Sequence, residues 1–205
     1  MTDPIPINLA AEDELSVTVL RVILKNSGKL FAIGFCRRKG GYGYLKRIAP
    51  GLNRAARSTP YLLLTDLDRG ECPPILMRDW LPAPKHPNFI FRVAVHEVES
   101  WLLGHRQSFA KFTAVSAKKI PTEVDQIENP KEFLVSLARK SKKREIREGI
   151  VPMKGSTAKI GPRYNKLLCQ YVRNTWNMNE AARHSGSLNR ALTAIRNFTP
   201  RWIKN

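Results

Sequence analysis

Apolar residues fall into short runs and helical stripes that alternate through the first hundred positions. Residues 5–11 form an apolar stretch ending in Ala10-Ala11-Glu12 and predict a strand. Leu15, Val19, Val22 and Ile23 then recur at helical spacing, which predicts a helix over 14–26 with Asp13 as N-cap and Gly28 in the left-handed turn that ends it. A second strand is expected over 30–36, followed by a helix over 45–56 interrupted at Pro50-Gly51. The run Tyr61-Leu62-Leu63-Leu64-Thr65 has no alternation, the pattern of a strand buried on both faces of a parallel sheet. A short helix over 74–81 opens at Pro74, residues 88–95 read as a fourth strand, and a helix follows over 97–112.

The second half reads differently. Helices are expected over 130–148, 164–174, 179–184 and 188–198, with no clear strand and a loop-like stretch over 152–162. Strands alternating with helices imply an α/β fold: a mostly parallel four-stranded sheet flanked by helices, with a basic helical C-terminal extension. The expected division is a catalytic domain over 1–115 and the extension over 116–205. Open parallel sheets bind ligands outside the carboxyl ends of their strands. Glu12, Asp66 and Glu97 all fall just past expected strand ends, so acids distant in sequence converge on one sheet edge.

Charge changes the picture. Lys and Arg number 35 against 17 Asp and Glu, a net charge of +18. Residues 1–100 carry 14 basic and 10 acidic residues, and residues 101–205 carry 21 and 7. Such an excess implies a polyanionic partner, with attraction supplied mainly by the second half. No apolar run reaches the roughly 18 residues a membrane span needs, and the N-terminus does not read as a secretory signal. The three cysteines, Cys36, Cys72 and Cys169, form no C-x-x-C pair. They suggest neither a disulfide framework nor a zinc knuckle, and a cytoplasmic location fits them.

Asp66-Leu67-Asp68 directly follows the buried run. In extended backbone, carboxylates at i and i+2 point the same way and reach one cation. Hard oxygen donors suit Mg²⁺ or Mn²⁺. The ordinary alternative is a turn or capping pair after a strand. Glu97 and Glu99 carry a similar alternative, because acids complement the dipole in a helix's first turn. If Glu97-Val98-Glu99 is extended, both carboxylates face the acidic cluster; if it is helical, they diverge by about 200°.

Together Glu12-Asp13-Glu14-Leu15-Ser16, Leu64-Thr65-Asp66-Leu67-Asp68 and Arg92-Val93-Ala94-Val95-His96-Glu97-Val98-Glu99-Ser100-Trp101-Leu102 resemble a small Toprim-like family. The family is similar to the Toprim domain of overcoming-lysogenization-defect (OLD) nucleases. The resemblance implies a metal-dependent DNA endonuclease, an effector of phage defence that works with a separate ABC-type ATPase. It implies that Glu12 is a general base, acid or metal ligand, that Asp66 and Asp68 are the D-x-D metal ligands, and that Glu97 and Glu99 hold a second metal. Asp13 departs from the pattern, standing where many Toprim domains have glycine. His96 has no assigned role and reads as a structural neighbour. Two Mg²⁺ or Mn²⁺ ions about 4 Å apart suit phosphodiester hydrolysis.

Basic and aromatic elements complete the expected nucleic-acid surface. Lys39, Tyr42 and Lys46 lie in or beside a glycine-rich stretch able to approach phosphates, or equally in an ordinary glycine turn with partly buried tyrosines. Lys142 and Arg144 belong to the run Arg139-Lys140-Ser141-Lys142-Lys143-Arg144, read either as a solvated helix face or as a phosphate contact. Lys154, Lys159 and Arg163 flank Gly155-Ser156-Thr157, which is not a nucleotide-binding P-loop. Three functions compete: the nuclease, a non-catalytic nucleic-acid-binding or adaptor subunit, and another Toprim-like phosphotransfer activity. A homo-oligomer is compatible with the sequence.

Overall fold

The computed structural model describes residues 3–38, 40–67 and 72–202. The chain divides into two compact units, Met1–Ala94 with Arg190–Asn205, and Val95–Asn189. The boundary expected near residue 115 falls inside the second unit.

The first unit runs β1 (Ile5–Ala11), α1 (Glu14–Lys25), β2 (Phe31–Arg37), α2 (Gly41–Ala55), β3 (Tyr61–Asp66), α3 (Pro73–Trp80) and β4 (Phe89–Ala94). All four strands are parallel, in the order β2-β1-β3-β4. The α/β class expected from the alternation is therefore what the chain forms. Ile7, Leu9, Ala10 and Ala11 of β1 and Leu62, Leu63 and Leu64 of β3 are wholly buried. Two-sided burial is why these central strands are apolar without alternation. The strand order turns at β1: α1 leads out to β2 on one side, and α2 carries the chain back past β1 to β3 on the other. Right-handed crossovers running in opposite directions place α1 and α2 on opposite faces and open a crevice between the carboxyl ends of β1 and β3.

Local chemistry sets the element ends. Asp13 Oδ1 accepts from Ser16 N at 2.8 Å and caps α1, and Gly28 takes φ +84° in the turn that follows. The interruption expected at Pro50 does not occur. Pro50 lies inside α2, where the buried stripe of Leu45, Ala49 and Leu52 spans both sides of it. The C-terminal segment returns to this unit: Phe198 stacks on Phe31 at 6.5 Å between ring centroids. The buried Asn88 side chain accepts from Arg201 N at 2.7 Å and donates to Arg201 O at 2.8 Å.

The second unit contains α4 (Val98–Gly104), α5 (Arg106–Thr113), α6 (Pro130–Arg139), α7 (Arg144–Ile150), α8 (Tyr164–Asn174) and α9 (Met178–Ala182); α10 (Gly186–Arg196) follows. Two helices expected as continuous are broken. The 97–112 helix stops at His105, whose Nδ1 accepts from Asn177 N at 3.0 Å. The 130–148 helix stops at residues 140–143, where the buried Ser141 bonds Lys143 N through Oγ at 3.0 Å. Lys143 Nζ in turn donates to the carbonyls of Lys111 and Phe112 at the end of α5, 3.1 Å each. Trp101 and Phe109 are fully buried, and Trp101 Nε1 donates to Ser187 Oγ at 2.7 Å. Among the described residues no helix is long and apolar enough to cross a membrane.

Asn88→Ala removes both bonds to Arg201 and is expected to cost about 1–3 kcal/mol. Hydrogen exchange checks the outcome: amides of residues 197–202 lose protection first. Unchanged protection there contradicts the clasp.

Candidate functional site

Register places the first acidic group. Ala11 of β1 lies opposite Leu64 of β3, so Glu12 stands level with the last residues of β3 across the crevice. Its Oε1 accepts from Thr65 Oγ1 at 2.6 Å and from Asp66 N at 3.1 Å. The Thr65 hydroxyl is buried, so the bond also satisfies a group that would be costly to leave unmade. Asp66 ends β3 opposite Ala94 of β4, and Leu67 N donates to Ala94 O at 2.9 Å while its side chain is buried. The middle residue of D-x-D thus turns into the core. Asp68 lies outside the described residues.

Glu12 and Asp66 are thus brought together, half-buried, at the carboxyl edge of the sheet. Their hard oxygen donors fit Mg²⁺ or Mn²⁺, and Mg²⁺ needs only one or two carboxylates beside waters and a phosphate. Among the described residues no group of three or more His, Cys, Asp or Glu side chains gathers to hold a metal. Neighbouring acids have other work: Asp13 caps α1, and Glu14 pairs with Arg38.

Glu97 and Glu99 belong to the second unit. His96, at φ +34°, lies in the left-handed region that a non-glycine residue occupies under strain, in the bend between the end of β4 at Ala94 and the start of α4 at Val98. Glu97 is the N-cap of α4 and Glu99 sits in its first turn. Neither expected geometry is met in full, since Glu97 is extended and Glu99 is helical. Both carboxylates nonetheless meet one ammonium, Lys131 Nζ, at 3.3 Å from Glu97 Oε1 and 3.6 Å from Glu99 Oε1. Glu97 Oε2 also accepts from Lys131 N at 2.7 Å, satisfying an orphan amide in the first turn of α6.

Glu99 is 1% exposed. Its Oε1 accepts from Tyr164 Oη at 2.8 Å, and its Oε2 has no hydrogen-bond partner among the described residues. Burial pushes its carboxyl up to about 7, with Glu97 adding to the rise and Lys131 and Tyr164 opposing it. A second metal ion at this pair would compete with the Lys131 ammonium.

The residues expected to meet nucleic acid are spread over both units. Lys39 lies outside the described residues. Tyr42 sits in the first turn of α2 and packs edge-on against Trp80 at 5.0 Å, and Lys46 pairs with Asp79 at 2.5 Å. Arg144 bonds Glu148 at 2.6 Å and Arg163 bonds Glu145 at 3.2 Å, whereas Lys142, Lys154 and Lys159 are exposed. The basic run does not form one helix face. It crosses the break between α6 and α7.

Thr65, Lys131 and Tyr164 were not signalled as site residues. Thr65 carried a local signal, a single hydroxyl closing an apolar run. Lys131 and Tyr164 carried none, because they meet the acids from 32 to 65 positions away.

The folded Glu99 carboxyl keeps its proton up to about pH 7, while the unfolded one releases it near 4.5. Its stabilising effect is therefore complete below 4.5 and is lost as pH rises to about 7. Glu99→Gln cannot titrate. The wild-type melting temperature, measured relative to the variant, should fall across that window; a constant difference contradicts the raised value.

Compared with known proteins, the sequence matches no family model, no curated protein and no solved structure.

Proposed function

We propose that the chain is a metal-dependent nuclease of Toprim type that hydrolyses phosphodiester bonds, with DNA as the favoured substrate. The observation that carries this reading is the hydrogen bond from the Asp66 backbone amide to the Glu12 carboxylate, at the crevice where the strand order turns. That crevice is the place at which open parallel sheets take their ligands. The motifs around Glu12, Asp66 and Glu97 add the Toprim resemblance, and the net charge of +18 supplies attraction for a polyanion.

Each residue then has a task. Asp66 and Asp68 would offer carboxylates to a divalent cation, and Glu12 is held at Asp66 by Thr65 and the Asp66 amide, fixed before substrate arrives. A bound Mg²⁺ or Mn²⁺ would polarise the phosphodiester and stabilise the charge on its oxygens. Glu12 would carry a proton at that edge. Glu97 and Glu99 keep Lys131 and the start of α6 in position. Action as an effector beside an ABC-type ATPase in phage defence rests on the resemblance alone.

A second reading, a non-catalytic nucleic-acid-binding or adaptor subunit, draws on the net charge of +18, which attracts a polyanion whether or not it is cut.

The two readings part in a nuclease assay. Chain purified alone and with its cognate ATPase should cut DNA in Mg²⁺ or Mn²⁺. Asp66→Asn and Glu12→Gln should each slow cutting by about a hundredfold or more with the fold retained by circular dichroism. DNA binding without cutting under either metal selects the adaptor.

A further inference from the structure

A second concave site lies wholly within the second unit, formed by the end of α6, by α7 and by the loop over 151–162. It is a cleft of about 520 Å³, within the range of small-ligand sites. Val151, Pro152, Met153 and Pro162 give it an apolar lining, which Arg139, Arg147 and Glu148 complete.

The loop is pinned at its base. Gly161 N donates to Ile150 O at 2.8 Å and Arg163 N to Gly149 O at 2.9 Å. A Cβ on Gly161 would stand 2.5 Å from Gly149 O, so only glycine lets the two strands of the loop close. The cleft is therefore formed before any ligand arrives. Met153 is 73% exposed at its side, and an unbranched thioether left in water adapts to and contacts aromatic rings well.

Charge selects the ligand. Residues 139–163 hold nine basic and two acidic side chains. Both acids are already matched, Glu148 by Arg144 and Glu145 by Arg163. Arg147 is tied to Ser141 O at 2.6 Å, Arg139 is exposed in the lining, Lys154 and Lys159 are exposed on the loop, and Lys140 and Lys142 are exposed in the segment between α6 and α7. An apolar slot bordered by cations complements a flat apolar group carried on a polyanion. In a duplex the faces of the bases are stacked and cannot enter, so the ligand has to be an unstacked base.

We propose that this cleft receives an unpaired nucleobase of single-stranded or locally melted nucleic acid, with Arg139 and Lys154 meeting the flanking phosphates. The proposal rests on the reading of the chain as a protein that acts on nucleic acid, and it narrows the substrate to strands with unstacked bases.

The test is fluorescence anisotropy on the full chain in metal-free buffer, which prevents cutting. The probes are a labelled oligothymidine strand and a labelled duplex of mixed sequence. The single strand should bind about tenfold more tightly than the duplex. Met153→Glu, at an exposed loop position, should remove that preference and leave duplex binding within about twofold. Arg139→Ala should weaken single-strand binding and lower its salt slope by about 0.7. Equal affinity for both probes, or a Met153→Glu variant that keeps the preference, overturns the cleft assignment while nucleic-acid binding stands. Failure to bind either probe overturns both. An acidic amphipathic peptide that binds in a Met153-dependent way, where the single strand does not, assigns the cleft to a protein ligand and overturns the proposal.

Discussion

The carboxylate of Glu12 spans the crevice between β1 and β3, taking one hydrogen from the Thr65 hydroxyl and one from the Asp66 amide. Hydrogen bonds to an ionised acceptor are roughly twice as strong as neutral ones, and this pair joins the ends of the two central strands. Strand order makes the contact possible. Because β2 and β3 flank β1 on opposite sides, the segments leaving β1 and β3 part company and leave space at their carboxyl ends. Burial on both sides fixes the register of these strands, which in turn holds residue 12 level with residues 65 and 66. The acidic edge is a consequence of the sheet, and its geometry persists only while β1 and β3 stay in register.

In the second unit the organising constraint is a carboxylate that has left water. Glu99 is held by Tyr164 and faces the Lys131 ammonium that Glu97 also binds, which draws α4, α6 and α8 around one polar cluster. Removing one partner of such a cluster is costly because it strands the others. The expected role of this pair as ligands of a second metal therefore meets a competing cation that the sequence did not announce.

The fold was legible where physics is local or where burial writes a pattern. The unalternating Leu62-Leu63-Leu64 run marks a two-sided strand, and Asp13 marks the start of α1 through its own cap. The helix breaks were not legible, because their causes lie far off in sequence. His105 turns aside where Asn177 N bonds its ring, and Lys143 leaves the helical path to bond the carbonyls of Lys111 and Phe112. Pro50 misled in the other direction, since the buried face of α2 outweighs a proline's local cost. At the site, Glu12 and Asp66 could be placed from strand ends alone. The fate of Glu97 and Glu99 turned on a single residue, His96, whose positive φ no periodicity reveals.

Glu12 and Asp66 are proposed to form the protein half of a divalent-cation site. Crystals soaked in Mn²⁺ and measured at the manganese absorption edge test it most directly. An anomalous peak is expected within about 2.5 Å of an Asp66 carboxylate oxygen, beside Glu12, and should disappear in Asp66→Asn. Crystals that bind Mn²⁺ elsewhere, or not at all, while this edge stays free of anomalous signal would contradict it.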